Sequence, residues 1–585
     1  MALLTLAVLL TFLFLFPARL VAAAASSGAY DLVILGATPG GIMAAVAAAR
    51  VSNATANILI LERTSYIGGL PANGLGATDI ATRSATGGLF LEFVGRVKQQ
   101  YVDTYGESSQ QVKDSQNGYH FEPKVAEKVM KEFLAEVADK GVEVKVRRQF
   151  DAQVENAEVE DGCVKKIKVT NRDTGAAEWY EGKYFIDATY EGDLIDAARI
   201  PFFSGRESAS KFGEIGAGVV YKYWKGDEAE GTTHEGDDRI QAYNYRLSLT
   251  NDPEIVYKIP KPNKYNRTEY VSLIDDIITG CHTGYQAEGL CPGTVGDPDV
   301  QPNFPGSPVG IDRLSSMSQI PNQKWDGNNQ HLGFISTDLP EENQGYPTAS
   351  WAWRDRFAER LRSYILGLFY FAQNDPEVPE WFRNKTAAWG LAKDEYTDNN
   401  YFPRQVYVRE GRRMHGEFIF TSNDATPAAD GERPPVHSDS ITSSHYALDS
   451  HGVRKREEGR AHLDGFVSYP TQPYTVPYRV IVPVKAAGIK NVLAPVPVSG
   501  SHIGFSTIRM EPCWMALGQA AGTAVALLLE EGGEPAVHDL DVATLQNQLF
   551  EQDAVLVYIS GWANLSKEER IKQQKEILKA GTSAK

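Results

Sequence analysis

The sequence predicts an α/β fold: a Rossmann-like dinucleotide-binding domain with a β-meander, plus an inserted α+β domain for the substrate. Three observations predict it. A short apolar run, Tyr30-Asp-Leu-Val-Ile-Leu-Gly36, breaks into glycines and then into an alanine-rich stretch ending at Arg50, which reads as strand, tight turn and helix. A second buried run, Asn57-Ile-Leu-Ile-Leu-Glu62, ends on an acidic residue roughly 20 residues past that turn, where a dinucleotide fingerprint needs a carboxylate. From about residue 201 to residue 471 the chain turns rich in Tyr, Trp, Pro and Asn, and then it returns to its first texture.

At 585 residues the chain is longer than one core comfortably fills, so two or three structural units are expected. A net charge of −17 argues against nucleic acid or an anionic membrane as the main partner. Residues 1–25 read as a cleaved secretory signal: residues 3–16 are apolar but short for a membrane span, and Pro17, Arg19 and the run Val21-Ala-Ala-Ala-Ala25 follow. The first residues lack Lys and Arg, so an uncleaved anchor is the alternative. No later stretch reads as apolar for long enough to span a bilayer. The expected location is therefore extracellular, with no membrane contact after cleavage. Sequons at Asn53, Asn266, Asn384 and Asn564 agree with a secreted glycoprotein. Cys281 and Cys291 bracket a short polar loop and are the expected disulfide, whereas Cys163 and Cys513 read as isolated thiols. No CxxC pair occurs, which leaves no zinc knuckle or dithiol centre, and no metal site is expected.

In the opening turn, Gly36 permits the sharp bend and Gly41 lets helix and strand pack closely. The helix N-terminus offers free N–H groups to a pyrophosphate, and Glu62 can accept from ribose hydroxyls. Gly68 and Gly69 allow backbone to pass close to a cofactor, or mark a surface loop. Residues 121–138 have the spacing of an amphipathic helix. Residues 142–146, 153–159 and 163–170 read as the strands of a meander. The strand 184–187 then returns to the sheet and ends in Asp187-Ala-Thr189-Tyr-Glu-Gly192-Asp193, the kind of strand end that meets a ligand in a doubly wound sheet. In the middle, residues 351–373 form a clear aromatic helix. Strands at 480–484 and 491–496 lead into Val498-Ser-Gly500-Ser501-His502-Ile-Gly504 and a helix from Cys513 to Glu531, whose Gly518-Gln-Ala-Ala-Gly522 face allows close approach of cofactor or sheet. The expected division is signal 1–25, first part of the dinucleotide domain 26–200, inserted domain 201–471, second part 472–540 and a helical tail 541–585.

Taken together, the opening turn, the Asp187–Asp193 strand end and the block from Asn491 to Gly522 closely resemble the FAD-dependent oxidoreductase family, flavoproteins of the glutathione-reductase-type FAD fold. Some relatives carry labels naming xanthan lyase. The resemblance implies FAD as cofactor. It assigns Gly36, Thr38, Pro39, Gly40 and Gly41 to the pyrophosphate and Glu62 to the adenosine ribose. Arg63 and Gly69 would line the cofactor's path, Thr189 and Asp193 its adenosine side, and Gly500, Ser501 and Gly504 would run under the flavin.

Flavoenzymes reduced by NAD(P)H usually carry a second strand-glycine-turn-helix unit. The other candidate here, Gly213-Glu-Ile-Gly216-Ala-Gly218, follows no apolar strand and reads as a turn. That favours electrons taken from a small-molecule substrate, as hydride to flavin N5 with reoxidation by oxygen or another acceptor. Such a step needs a base and cations near developing oxyanions. His502 is the first candidate for the base, with His451 and His415 next; a histidine taken singly is more often a hydrogen-bonded structural residue, and His502 alone is favoured over that reading. Arg409, Arg412 and Arg413 can bind a carboxylate or polarise a carbonyl, or send one side chain to the FAD phosphates. Arg509 fits the same work or a buried ion pair. Two other readings stay open: a monooxygenase or dehydrogenase with a separate electron donor, and a carbohydrate-binding or carbohydrate-cleaving protein with structural FAD.

Overall fold

The computed structural model describes residues 26–52, 56–223, 226–279, 310–330, 333, 335–427, 433–458, 460–561 and 565–581. The expected signal sequence, Asn53, Asn564 and the Cys281 and Cys291 loop lie outside the described residues.

The chain opens as strand β1 (Ser26–Leu35), helix α1 (Pro39–Val51) and strand β2 (Ile58–Leu61). β1 and β2 run parallel with Ile34 opposite Ile60. β3 (Val142–Lys145) adds in parallel to β2, with Ile58 opposite Val142. This departs from the expected meander strand: the apolar positions of residues 142–146 complete the parallel sheet edge instead. The meander is made by β4 (Arg148–Phe150), β5 (Ala157–Glu160), β6 (Cys163–Asn171) and the first half of β7 (Ala177–Asp187), paired antiparallel. The second half of β7 runs parallel to β1, with Ile34 opposite Ile186.

The late chain closes the same sheet. A two-residue strand, Val492–Leu493, lies parallel on the far side of β7, so its parallel part has the doubly wound order β3-β2-β1-β7 and then this last strand. Asn491 fixes it there, accepting from Val164 N at 2.9 Å and donating to the carbonyls of Val164 and Lys183. The run expected as a strand at 480–484 instead holds a helical turn, Tyr478–Val480, followed by Pro483, which has no N–H to give a ladder.

Successive residues of β1 face opposite cores, Leu32 and Ile34 toward the helices and Val33 and Leu35 toward the meander side. The helix side is closed by α6 (Glu511–Glu531) lying on α1. A Cβ on Gly518 would stand 2.0 Å from Gly40 O, and one on Gly522 1.9 Å from Ala44 O. The small-residue face thus serves helix–helix contact, not cofactor or sheet. α6 is long and apolar enough to cross a membrane by length and composition, yet nearly all of it is buried in this core.

Residues 247–392 build a second, five-stranded antiparallel sheet in the order Val256–Lys258, Gly390–Ala392, Leu247–Thr250, Lys324–Asn329, Ser315–Ile320. Before its last strand runs the long aromatic helix α4 (Trp351–Asn374). The short helices α2 (Gly69–Asn73), α3 (Asp193–Ala197) and α5 (His502–Ile508) sit at the ends of sheet strands or just before α6.

Candidate functional site

The carboxyl ends of β1, β2 and β7 open on one cleft, whose enclosed part measures about 140 Å³ and is lined by Gly36, Thr38, Glu62, Arg63, Gly69, Thr189 and Asp193 among others. Gly36 turns with φ +93°, and a Cβ there would lie 2.8 Å from Ala188 O. Thr38 caps α1: its hydroxyl donates to Ala188 O at 2.8 Å and accepts from Gly41 N. Pro39, Gly40 and Gly41 follow as the first turn, the geometry that presents backbone N–H groups to an anion. The Glu62 carboxylate is held at the rim by Ala37 N (3.0 Å), Thr64 N (2.7 Å) and the Thr64 hydroxyl (2.8 Å). Gly69 starts α2 with φ +49°, and a Cβ there would meet Tyr190 Oη at 2.3 Å. Thr189 donates to Asp187 at 2.7 Å.

The cleft's outer wall is one that sequence reasoning missed. Arg354 of α4 reaches across to Asp193 with both terminal nitrogens, at 2.7 and 2.9 Å, and Arg412 joins the same carboxylate at 2.7 Å. Arg63 lies over the Trp351 ring and pairs with Asp355, both on α4. No local pattern in residues 351–355 points to this, because the contacts span more than 150 positions in sequence. Tyr190, by contrast, stands inside the strand end already singled out. Burial raises the carboxyl of Glu191, which lines the cleft, to about 7, and behind the lining it raises Asp187 to about 6 and Glu511 to about 8.

The other predicted residues form a separate, buried polar centre. His502 starts α5; its Nδ1 lies 2.9 Å from Glu410 Oε2 and its Nε2 3.1 Å from Ser450 Oγ. Burial raises the Glu410 carboxyl, but His502 and Arg413 outweigh it and hold the pKa below the usual range. An ionised Glu410 only accepts, so Nδ1 carries the proton that faces it. Arg413 also donates to Gly500 O at 2.7 Å and so ties this loop to Glu410. Ser501 caps α5 through Gly504 N and donates to Glu214. A Cβ on Gly504 would lie 2.2 Å from Phe420 O, so its glycine is required by packing on Phe420. Gly500, Ser501 and Gly504 do not line the cleft with Gly36. His415 packs on Phe203 instead, away from these groups.

His451 follows Ser450 directly. Its Nδ1 lies 2.8 Å from Asp338 and its Nε2 3.5 Å from Asp449. Arg409 donates to Asp338 at 2.8 Å, and Arg509 to Tyr407 Oη at 2.8 Å and Asp449 O at 3.0 Å. Burial opposes ionisation of Asp449, yet His451, Arg509 and Arg409 lower it to about 2. Asp338 also lies on the wall of a cavity of about 590 Å³, lined by Asn329, Gln330, Ser336, Tyr364 and Phe466 among others. The structure thus brings His451, Arg409, Arg509 and His502 to one centre and leaves Arg412 at the cleft.

Among the described residues one carboxylate group has metal-ligand spacing: Glu122, Asp394 and Glu395. Lys324 Nζ sits among them, at 2.5, 2.6 and 2.8 Å, and so already supplies the countercharge. Cys163 and Cys513 are free thiols. Asn266 and Asn384 are both exposed.

A parallel sheet whose first strand ends in a glycine turn at a helix N-terminus, with a carboxylate at the end of the next strand, has the pattern of a dinucleotide-binding fold, and the comparison with known families is more specific. The model of the FAD dependent oxidoreductase family matches residues 31–549, and the chain belongs to that family. It is accordingly an FAD-binding oxidoreductase. No curated protein matches the sequence. Among solved structures, similarity is found to the glycerol-3-phosphate dehydrogenase of Bacillus halodurans complexed with FAD (12% identity, 35% of this chain and 44% of that one, TM-score 0.22). It is found also to a 3-ketosteroid-delta4-(5alpha)-dehydrogenase of Rhodococcus jostii RHA1 (16%, 31% and 50%, TM-score 0.19) and to the flavin-dependent monooxygenase PieE (14%, 31% and 34%, TM-score 0.20). The chain spans half or less of the length of each, and likenesses at these scores carry no argument.

The residues present fit FAD. Gly36 and Gly69, both with positive φ, line the cleft without side chains, so backbone alone stands at its floor. The first turn of α6, beside α1, carries two buried polar atoms without a partner, Glu511 Oε2 and Trp514 Nε1.

Proposed function

We propose that the protein oxidises a small polar organic molecule whose own C–H bond supplies the electrons, and that residues 201–471 form an inserted substrate domain that brings this molecule to the polar centre. Bound FAD supplies the hydride acceptor at flavin N5 and is reoxidised by oxygen or another acceptor. The observation that carries the reading is the linked set His502, Glu410, Ser450, His451, Asp338 and Arg409, of which Asp338 reaches the wall of the 590 Å³ cavity.

The chain's residues have separable tasks. Glu410 fixes His502 with its proton on Nδ1, which leaves Nε2 as the acceptor for a proton passed through Ser450 Oγ. Arg409 and His451, both on Asp338, put two donor-bearing groups behind the cavity wall, where an oxygen of the substrate gains charge as its proton leaves. Asn329, Gln330 and Ser336 line the cavity with uncharged polar groups suited to hydroxyls. Gly213–Gly218 lies between a short helix and the strand Tyr221–Lys222, which supports its reading as a turn and favours substrate as the reductant. We propose further that the chain is secreted, on the strength of residues 1–25 and of exposed sequons at Asn266 and Asn384.

The test is a screen of alcohols, sugars and amines for peroxide release by the purified flavoprotein, repeated with Asp338→Asn. A substrate whose turnover that change slows about a hundredfold or more, with FAD retained, supports the assignment. Unchanged turnover by Asp338→Asn moves the substrate site elsewhere.

A further inference from the structure

Tyr190 stands between the dinucleotide cleft and the first turn of α6. Tyr190 lines the cleft with Gly36, Thr38 and Gly69. Its oxygen accepts from Leu70 N at 2.9 Å and lies 2.5 Å from Glu511 Oε1. The ring packs on Trp514, and residue and partner are both buried. A phenol has one proton and two lone pairs. With Leu70 N on one lone pair, the direction of the bond to Glu511 decides where the phenolic proton points.

If Glu511 is a carboxylate, Tyr190 must donate to it, and nothing is left for the cleft. If Glu511 is an acid, a proton on Oε1 has Tyr190 Oη as acceptor, whereas one on Oε2 has no partner, so the first arrangement is the one that satisfies the proton. Both lone pairs of Tyr190 are then occupied, and its own proton is released toward the cleft. We propose that Glu511 acts as a positioning residue for the cofactor: as a neutral acid it turns the Tyr190 hydroxyl into a donor to FAD, and its ionisation withdraws that donor. The inference rests on FAD occupying the cleft below Gly36.

The surroundings favour the acid. Burial raises the Glu511 carboxyl to about 8, against the opposing hydrogen bond from Tyr190. The segment after β7 brings Tyr190 and Glu191, and Glu191, itself raised to about 7, acts on the Tyr190 phenol and brings no cation. On α6 the neighbouring thiol Cys513 is raised to about 12. α2 brings no ionisable side chain, and α1 brings only Arg50 at its far, exposed end. His502 on α5 is engaged by Glu410 and Ser450. No cation among these groups holds Glu511 ionised.

The experiment measures FAD dissociation constants of the full-length apoprotein by quenching of flavin fluorescence between pH 6.5 and 9.5. The wild type should weaken about tenfold or more as pH rises through about 8, since a hydrogen bond to a charged oxygen is worth that factor. Glu511→Gln, which keeps a donor and cannot ionise, should bind FAD with little change across this range. Tyr190→Phe should bind about tenfold more weakly than wild type at pH 7 and show a flat profile. A wild-type profile that is flat, or a Glu511→Gln profile as steep as the wild type's, overturns the inference. FAD binding by none of the proteins at any pH would instead overturn the placement of FAD in the cleft.

Discussion

His502 Nδ1 lies 2.9 Å from Glu410 Oε2, and both side chains are sealed from solvent. A histidine so held has one tautomer and one orientation, which is what a base needs before its partner arrives. His502→Ala should therefore retain FAD and slow flavin reduction by substrate about 10²–10⁴-fold. Glu410→Gln should slow the same step while leaving the flavin spectrum in place. Rapid-mixing reduction without oxygen checks both; a His502→Ala protein reduced at the wild-type rate moves the base elsewhere.

The contact of α6 on α1 makes a prediction about the fold alone. A side chain at Gly522 would begin 1.9 Å from Ala44 O, which is backbone and cannot step aside. Gly522→Val should destabilise the protein by about 1–3 kcal/mol or more, whereas an equal change at Gly532, where a Cβ meets nothing within 4 Å, should act only through its positive φ. Denaturant unfolding compares them.

Asp193 accepts from two buried guanidinium groups, and the two respond differently to its loss. Arg412 keeps Asp196 at 2.7 Å, but Arg354 keeps only backbone carbonyls. Asp193→Ala should cost about 3–5 kcal/mol, and much of that should return when Arg354 is also changed to Met, because an unpaired buried charge is the larger penalty. Equal losses in the single and double variants would contradict this.

Stability should fall as pH rises toward 8. Burial raises Asp187, Glu191, Asp276 and Glu511, to about 6, 7, 7 and 8, above their unfolded values near 4. Each lets the folded chain bind a proton that the unfolded chain has lost, so its contribution is present at low pH and is gone once pH passes the folded value. Asp449, lowered to about 2, acts in the opposite sense: it supports the fold above pH 4 and fails as pH drops toward 2. The apoprotein's unfolding midpoint should decline from pH 7 to 8.5, less steeply in Glu511→Gln. A midpoint that rises over this range contradicts the assignment.

What the sequence made legible is the part whose signals are local. β1, its turn, α1 and β2 are written in consecutive residues, apolar run, glycines, alanines, acidic end, and the structure places them as expected. The long helix at Trp351 was equally clear from its own spacing, but Arg354's reach to Asp193 was not, since nothing near residue 354 encodes a partner on β7's end. Gly518 and Gly522 signal close approach, but the partner is the backbone of α1 and not the cofactor or sheet expected. Residues 142–146 show the same limit: an apolar strand looks alike at a sheet edge and in a meander, and only its pairing with Ile58 decides. His502 stands out by its place in the Gly500–Gly504 loop and His451 and Arg409 by the Arg-rich stretch; Glu410 and Ser450 lie beside them in sequence without showing their role, and Asp338, which orients His451 and Arg409, carries no sequence mark.

The central claim, a flavin reduced by its own substrate, is tested most directly by the visible spectrum of the purified protein without oxygen. It should show flavin absorbance that NADH and NADPH leave unchanged, and that an organic substrate found by peroxide release bleaches in a single turnover. Bleaching by a nicotinamide cofactor alone would contradict it.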